Sequence, residues 1–198
     1  RGVPIRLEPP TTTKQETGDL RRQVVLAKIS SFHYSSVELI LKTKPKLLLM
    51  VDSVEDPHNL GALLRTAEGT GVGGVLIPRR RSCALTPAVV KASAGAAMHL
   101  RISRVTNMVQ TLNLLKQKGF WVLGLDTRGE KSVDEIDIEL PWVIVVGGEH
   151  RGIRQLLRAQ CDFLVSLPMR GKISSLNLSV AAGVLLYQLV LLKRKNRE

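Results

Sequence analysis

Five short apolar runs, separated by amphipathic stretches, constrain the fold of this chain more than any other feature. They are LLLMVD (47–52), GGVLIP (73–78), FWVLGLD (120–126), WVIVVGG (142–148) and FLVSLP (163–168). Each is apolar at consecutive positions rather than alternate ones, so both faces of the corresponding strand should be buried. Between and after them lie helix candidates: NLGALLRTAEGTG (59–71), TPAVVKASAGAA (86–97), NMVQTLNLLKQKG (107–119), GIRQLLRAQC (152–161) and a final stretch over 176–192. Strands of this kind alternating with helices predict an α/β fold, a parallel sheet covered by helices on both faces. Ligands in such sheets bind beyond the carboxyl ends of the strands. The chemistry is therefore expected in the loops after Asp52, Asp126, Gly148 and Pro168.

Domain organisation follows from where this pattern starts. Residues 1–46 are polar and irregular, apart from the run VVLAKI, and read as a linker with an ancillary strand; the α/β domain is expected over 47–198. At 198 residues and 44% hydrophobic, the chain is long enough to bury one substantial core.

Charge narrows the partners. A formal net charge of +12 favours a polyanion, since Lys and Arg gain affinity for phosphate through counterion release. Three basic clusters stand out: Lys42, Lys44 and Lys46; Arg79 to Arg81; and Lys193 to Arg197. Aromatic residues are only 4% of the chain, which argues against a base-stacking platform. Cys83 and Cys161 form no CxxC, and the four histidines have no metal-ligand spacing, so neither a disulfide framework nor a metal site is expected. The apolar ribbon after Asn177 holds Gln188 and is shorter than the roughly 20 residues of a membrane span. It reads as a buried core helix, without a membrane partner. No secretory signal opens the chain, and the expected location is the cytoplasm, or an organelle if a leader precedes Arg1.

Gly69, Gly71 and Gly74 satisfy G-x-G-x-x-G literally. A dinucleotide site needs a strand before this pattern and a helix after it, and the order here is the reverse. The glycines read instead as a helix end and a tight helix-to-strand turn.

Three strand-end loops carry more polar chemistry than turns require. The first is DSVEDPHNLGALLRTAEGTG, in which Asn59 opens a helix and Arg65 follows six residues later, near the i+7 position on the same side. Arg65 either meets an anion or is a solvated arginine paired with Glu68. The second is VVGGEHRGI, in which paired glycines permit close backbone approach and Glu149 stands at a helix start favoured by the dipole. The third, SLPMRGKI followed by SSLNLS, offers Ser174, Ser175, Asn177 and Ser179 where one oxygen suffices for a cap.

Together these loops resemble the three signature motifs of the SpoU/TrmH family of RNA ribose 2′-O-methyltransferases: DPHNLGALLRTAEGTGV, VIVVGGEHRGI and LPMRGKISSLNLSVAAGVLLY, in that order over about residues 47–192. RRRSCALTPAVVKASAGAA is also similar to this family, and to its RlmB-like branch, which modifies a guanosine of large-subunit rRNA. RGVPIRLEPP resembles the end of that branch's N-terminal RNA-binding domain, which implies that most of that domain lies outside this sequence.

The resemblance implies a SPOUT-type α/β knot, with the C-terminal segment threaded through a loop as a trefoil, a rare exception to unknotted topology. It also implies a homodimer, S-adenosylmethionine as methyl donor, and RNA as partner, rRNA ahead of tRNA. The active-site positions fall on Asn59, Arg65, Glu149, Ser175 and Asn177. The cofactor would be held mainly by backbone at Gly147, Gly148, Leu167, Met169 and Leu176, with Leu125 and Thr127 from a neighbouring loop. Two other readings stay open: a tRNA ribose methyltransferase of the same family, and an RNA-binding or ribosome-assembly protein that has lost catalysis.

Overall fold

A computed structural model describes residues 32–137, 139–148 and 151–195, and the compact unit begins at His33. The elements, in order, are helix α1 (Val37–Leu41), strand β1 (Leu47–Val51), α2 (Pro57–Gly69), β2 (Gly74–Pro78), α3 (Pro87–Ala92), β3 (Ile102–Val105), α4 (Met108–Gln117), β4 (Trp121–Leu125), β5 (Trp142–Val146), α5 (Gln155–Arg158), β6 (Phe163–Val165) and α6 (Leu178–Lys195). Short 3-10 turns lie at Ala96–Met98 and Val133–Glu135.

All six strands are parallel, in the order β3-β2-β1-β5-β4-β6. One face of the sheet presents Leu48, Met50, Leu76, Val122, Val143 and Val145 to a core completed by Ile40 of α1, Met108, Leu112 and Leu115 of α4, and Leu157 of α5. Alternation along a strand leaves Leu49, Val51, Ile144 and Val146 for the opposite face, and each of these is also fully buried. That burial on both faces is why the strands read as unbroken apolar runs. The second helical layer consists of α2, packed against both α3 and α6.

Connections leave β1 toward β2 and leave β5 toward β6, in opposite directions along the sheet, although β1 and β5 are neighbours. A crevice opens where connections diverge in this way, at the carboxyl ends of the two strands.

The structure departs from the sequence reading in identifiable places. Strand β3 has no counterpart among the five apolar runs, because ISRV carries Ser103 and Arg104 within four residues; Ser103 is nonetheless buried. The stretch 37–41, read as linker, is a helix capped by the Ser36 side chain, which accepts from the Leu39 N–H, and it delivers Ile40 to the core. The expected helix over 86–97 stops at Ala92, where Ala94 and Gly95 adopt positive φ and divert the chain into the 3-10 turn. The helix expected over 152–161 shrinks to Gln155–Arg158, because Gly148 and Gly152 pair as an isolated bridge and hold the preceding residues as a loop. The glycine pattern behaves as a turn: Gly69 ends α2, Gly71 takes φ 72°, and Gly74 opens β2. Among the described residues no helix is long and apolar enough to cross a membrane. The run 24–29 and the sequence RGVPIRLEPP lie outside the described residues.

Candidate active site

The carboxyl ends of β1 and β5 are bridged by an ion pair between a buried carboxylate and a partly exposed arginine. Asp52, fully buried at the end of β1, receives the Arg154 side chain, with Nε 2.9 Å from both carboxylate oxygens and an Nη2–Oδ1 distance of 2.7 Å. The Arg154 N–H and the Ser53 hydroxyl donate to the same carboxylate, at 3.2 and 3.0 Å. A carboxylate removed from water is tolerable only when its oxygens are satisfied in this way. The effect is to tie the loop after β5 to the loop after β1. The backbones also approach closely: a Cβ on Gly147 would run into Gly152 and Ile153, and one on Gly148 into the Ser53 carbonyl. Glycine is required at both positions for steric reasons.

Helix α2 packs against α6. Gly183 faces Thr66, with a Cβ at Gly183 lying 3.7 Å from its methyl group, and Gly69 faces the Tyr187 hydroxyl. At the amino ends of the pair, Asn177 Nδ2 donates to Asn59 Oδ1 at 3.1 Å. Asn177 is also the cap of α6. Its Oδ1 accepts from the backbone N–H of Ser179 at 2.9 Å and of Val180 at 3.4 Å, and from the Ser179 hydroxyl at 2.6 Å. Three donors on one oxygen fix the orientation of the amide and leave its nitrogen for Asn59.

Of the expected catalytic residues, the structure thus brings Asn59 and Asn177 together. Arg65 lies on the same helix as Asn59 but is exposed. The i+7 position from Asn59 is Thr66, which faces α6, so Arg65 stands one step around the helix toward solvent. No ion pair between Arg65 and Glu68 forms among the described residues. Ser175 is exposed in the loop before α6. Glu149 lies outside the described residues.

Of the positions expected to hold a cofactor, Leu125, Thr127, Gly147, Gly148, Leu167 and Met169 lie at or just after the carboxyl ends of three adjacent strands, β5, β4 and β6, and Leu176 lies in the loop before α6. After β4, Leu125 is half-buried and Thr127 exposed, and the Ser166 hydroxyl donates to the Gly129 carbonyl at 2.8 Å, joining this loop to the one after β6. Asp126, between them, is buried and receives Arg128 at 3.1 Å and Arg158 at 3.7 Å. Burial alone would raise its pKa; the Arg128 N–H and guanidinium, with Arg158, outweigh that and hold the carboxyl below its ordinary value. After β6, Leu167 is half-buried, while Met169 and Leu176 are 38% and 41% exposed. Glycine-lined backbone next to apolar side chains suits a nucleoside bearing a sulfonium, so the residues present fit S-adenosylmethionine. Among the described residues no group of three or more His, Cys, Asp or Glu side chains is placed to hold a metal ion.

Residues 46–187 match the SpoU rRNA methylase family model. This chain belongs to that family.

Relatives of the SpoU domain share most of its length. The chain is 40% identical over 173 residues to YacO of Bacillus subtilis, named as a putative TrmH family tRNA/rRNA methyltransferase; the match covers 85% of this chain and 70% of YacO. Among solved structures it resembles the SpoU methyltransferase AviRb of Streptomyces viridochromogenes in complex with AdoMet, with 27% identity and TM-score 0.70 over 74% of this chain and 57% of that one. It also resembles the A. aeolicus TrmH/SpoU tRNA modifying enzyme, with 26% identity and TM-score 0.68 over 80% and 83% of the two chains. The domain is that of an RNA methyltransferase that uses S-adenosylmethionine, on the six-stranded parallel α/β sheet of SpoU structures.

Sequence reasoning did not find the Asp52–Arg154 clamp. Its signal was present at one end only, as an acid closing an apolar strand; its partner 102 residues away has no local mark.

Proposed function

We propose that this chain 2′-O-methylates a ribose, that of a guanosine in large-subunit rRNA, through Asn59, Arg65, Glu149, Ser175 and Asn177. The observation that carries this reading is the Asn177–Asn59 hydrogen bond, which joins the first and third motifs. S-adenosylmethionine supplies, when bound, an electrophilic methyl group and a neutral thioether leaving group. A ribose hydroxyl is a weak nucleophile, so the chain must orient it in line and ease the loss of its proton. Arg65 is exposed and can reach RNA; as an always-charged guanidinium it clamps the neighbouring phosphate and orients the 2′-OH rather than acting as a base. Asn177 spends one N–H on Asn59 and keeps the other for the ribose or phosphate. Ser175 adds a hydroxyl from the same loop, and Glu149 fixes the loop after β5. In this reading Leu125, Thr127, Gly147, Gly148, Leu167, Met169 and Leu176 hold the cofactor, and the C-terminal segment carries the trefoil knot.

The same reading includes a homodimer. It is supported by α6, whose outer face exposes Val180 (51%), Val184 (39%), Tyr187 (50%) and Leu191 (60%) at a spacing of four, three and four residues. An apolar stripe of that period is the seam of a helix that packs on another helix. Of the expected 1–46 segment, α1 packs into the sheet core, and the residues before His33 are then the tail of an N-terminal RNA-binding domain and its linker; the assembly works in the cytoplasm.

A tRNA substrate is the second reading, favoured by the likeness to the A. aeolicus tRNA modifying enzyme. The test is methyl transfer from labelled S-adenosylmethionine to large-subunit rRNA and to tRNA, followed by mapping of the modified nucleotide. Methylation of rRNA at a ribose bears the proposal out. Methylation of tRNA alone replaces it by the second reading, and methylation of a base rejects both.

A further inference from the structure

An open groove of about 680 Å³ lies at the carboxyl ends of β2 and β3, away from the strands that carry the cofactor loops. It is lined by Tyr34, Ser35, Ser36, Arg79, Arg80 and Arg104, among others, and no carboxylate is among its described lining residues. Arg104 is tied to its neighbours. Its Nη2 donates to the Arg79 carbonyl at 2.6 Å, its guanidinium lies 5.5 Å from the centre of the Tyr34 ring, and the Arg79 Nε donates back to the Arg104 carbonyl at 3.4 Å. The two arginines therefore grip each other's backbone and hold two cations together at the edge of the sheet. Arg104 Nε is buried and makes no hydrogen bond. Guanidiniums gathered at one groove, with no carboxylate among its described lining residues, are unfavourable unless an anion meets them.

The groove is also linked to the catalytic loop. Directly after the arginine turn, the Ser82 hydroxyl and the Cys83 N–H both donate to the Val54 carbonyl, at 3.1 and 2.9 Å. Val54 lies in the loop that leads from β1 to Asn59. RNA backbone placed at Asn59 and Arg65 would continue along the same end of the sheet, over Arg79 and Arg80.

We infer that the Arg79–Arg80–Arg104 groove is a second RNA contact, which binds backbone phosphates flanking the methylated nucleotide. The inference rests on the proposed reaction for its substrate and reads that substrate as a strand extending beyond the reacting ribose. The partner chemistry is phosphodiester, gripped by guanidinium forks. It carries register and affinity rather than base identity.

The test uses the whole chain, a fluorescein-labelled single-stranded RNA oligonucleotide and bulk large-subunit rRNA. In the variant R79A/R80A both changes fall on exposed side chains, and calorimetry with S-adenosylmethionine should give the wild-type affinity, showing an intact fold. RNA binding should weaken about tenfold, and the salt dependence should flatten by about one unit of slope for each phosphate no longer held. R104K keeps the charge but loses the guanidinium that grips the Arg79 carbonyl, and should weaken binding less than R79A/R80A. Unchanged RNA affinity and salt slope in R79A/R80A, while wild-type protein still methylates RNA, would overturn the groove and leave the reaction standing. Weakened binding with no methyl transfer by wild-type protein to any RNA would uphold the groove and reject the reaction.

Discussion

The Asn177 side-chain N–H donates to the Asn59 side-chain oxygen, Oδ1, at 3.1 Å, while its own oxygen caps the helix that begins at Leu178. One side chain therefore sets both the start of α6 and its junction with α2. The two roles use different atoms, so they can be separated by substitution.

Asn177→Ala loses both roles and should cost about 1 kcal/mol of stability, the usual value of a cap. Asn177→Asp keeps the capping oxygen and places a carboxylate at a helix start, where the dipole favours it. Its melting temperature should match or exceed that of the parent, yet methyl transfer should fall about 10- to 100-fold, the scale of a misplaced positioning contact. Equal activity in the Asn177→Asp and parent proteins would remove the donor role of Asn177.

Arg65 is exposed on α2, so Arg65→Ala should leave stability within about 0.5 kcal/mol. Turnover of labelled cofactor on rRNA transcripts should nevertheless drop about 10²- to 10³-fold, as when one preorganised donor is removed from a reaction centre. Ser175→Ala should lose less, because the Asn177 amide remains. Near-normal turnover in Arg65→Ala would end its assignment.

The Asp52–Arg154 clamp predicts a coupled loss of fold and cofactor affinity. Arg154→Ala strands a fully buried carboxylate. A fully buried pair would cost about 3–5 kcal/mol when broken, and solvent at the partly exposed Arg154 reduces this to about 2 kcal/mol, readable from urea unfolding. Calorimetry should show weaker S-adenosylmethionine binding, because Gly147 and Gly148 sit in the tethered loop. Arg154→Lys should not rescue it, since one ammonium cannot reproduce the two-oxygen contact.

Asp126 should make the stability of the loop after β4 sensitive to acid. Its folded pKa lies below the ordinary carboxylate value of about 3.9, so its stabilising contribution is complete above that pH and is lost as pH falls through the depressed folded value. Asp126→Asn should lower stability at neutral pH and flatten the fall in stability below about pH 4. An unchanged acid profile by denaturant titration would dismiss the contribution.

The apolar stripe on α6 makes a last prediction. Val180→Glu combined with Val184→Glu places charge on its exposed face and should convert a dimer to a monomer in light scattering, with the sheet core intact by far-UV circular dichroism. A parent protein that is already monomeric would remove the dimer from the proposal.

Layer architecture and loop chemistry could be read from the residues alone. Burial on both faces writes itself into consecutive positions, as in LLLMV and WVIVV, so the parallel sheet was legible without coordinates. Short β3 was not, because Ser103 and Arg104 interrupt that local signal. The polar head of the last helix announced a surplus and pointed to a serine hydroxyl for the cap; the folded chain gives the cap to the Asn177 oxygen instead. Tertiary packing also gives the α6-facing position on α2 to Thr66 rather than Arg65, and pairs Asp52 with Arg154. Local periodicity is fixed by neighbours a few residues apart. A hydrogen bond spanning 118 residues depends on strand order and crossover direction, which no single segment encodes.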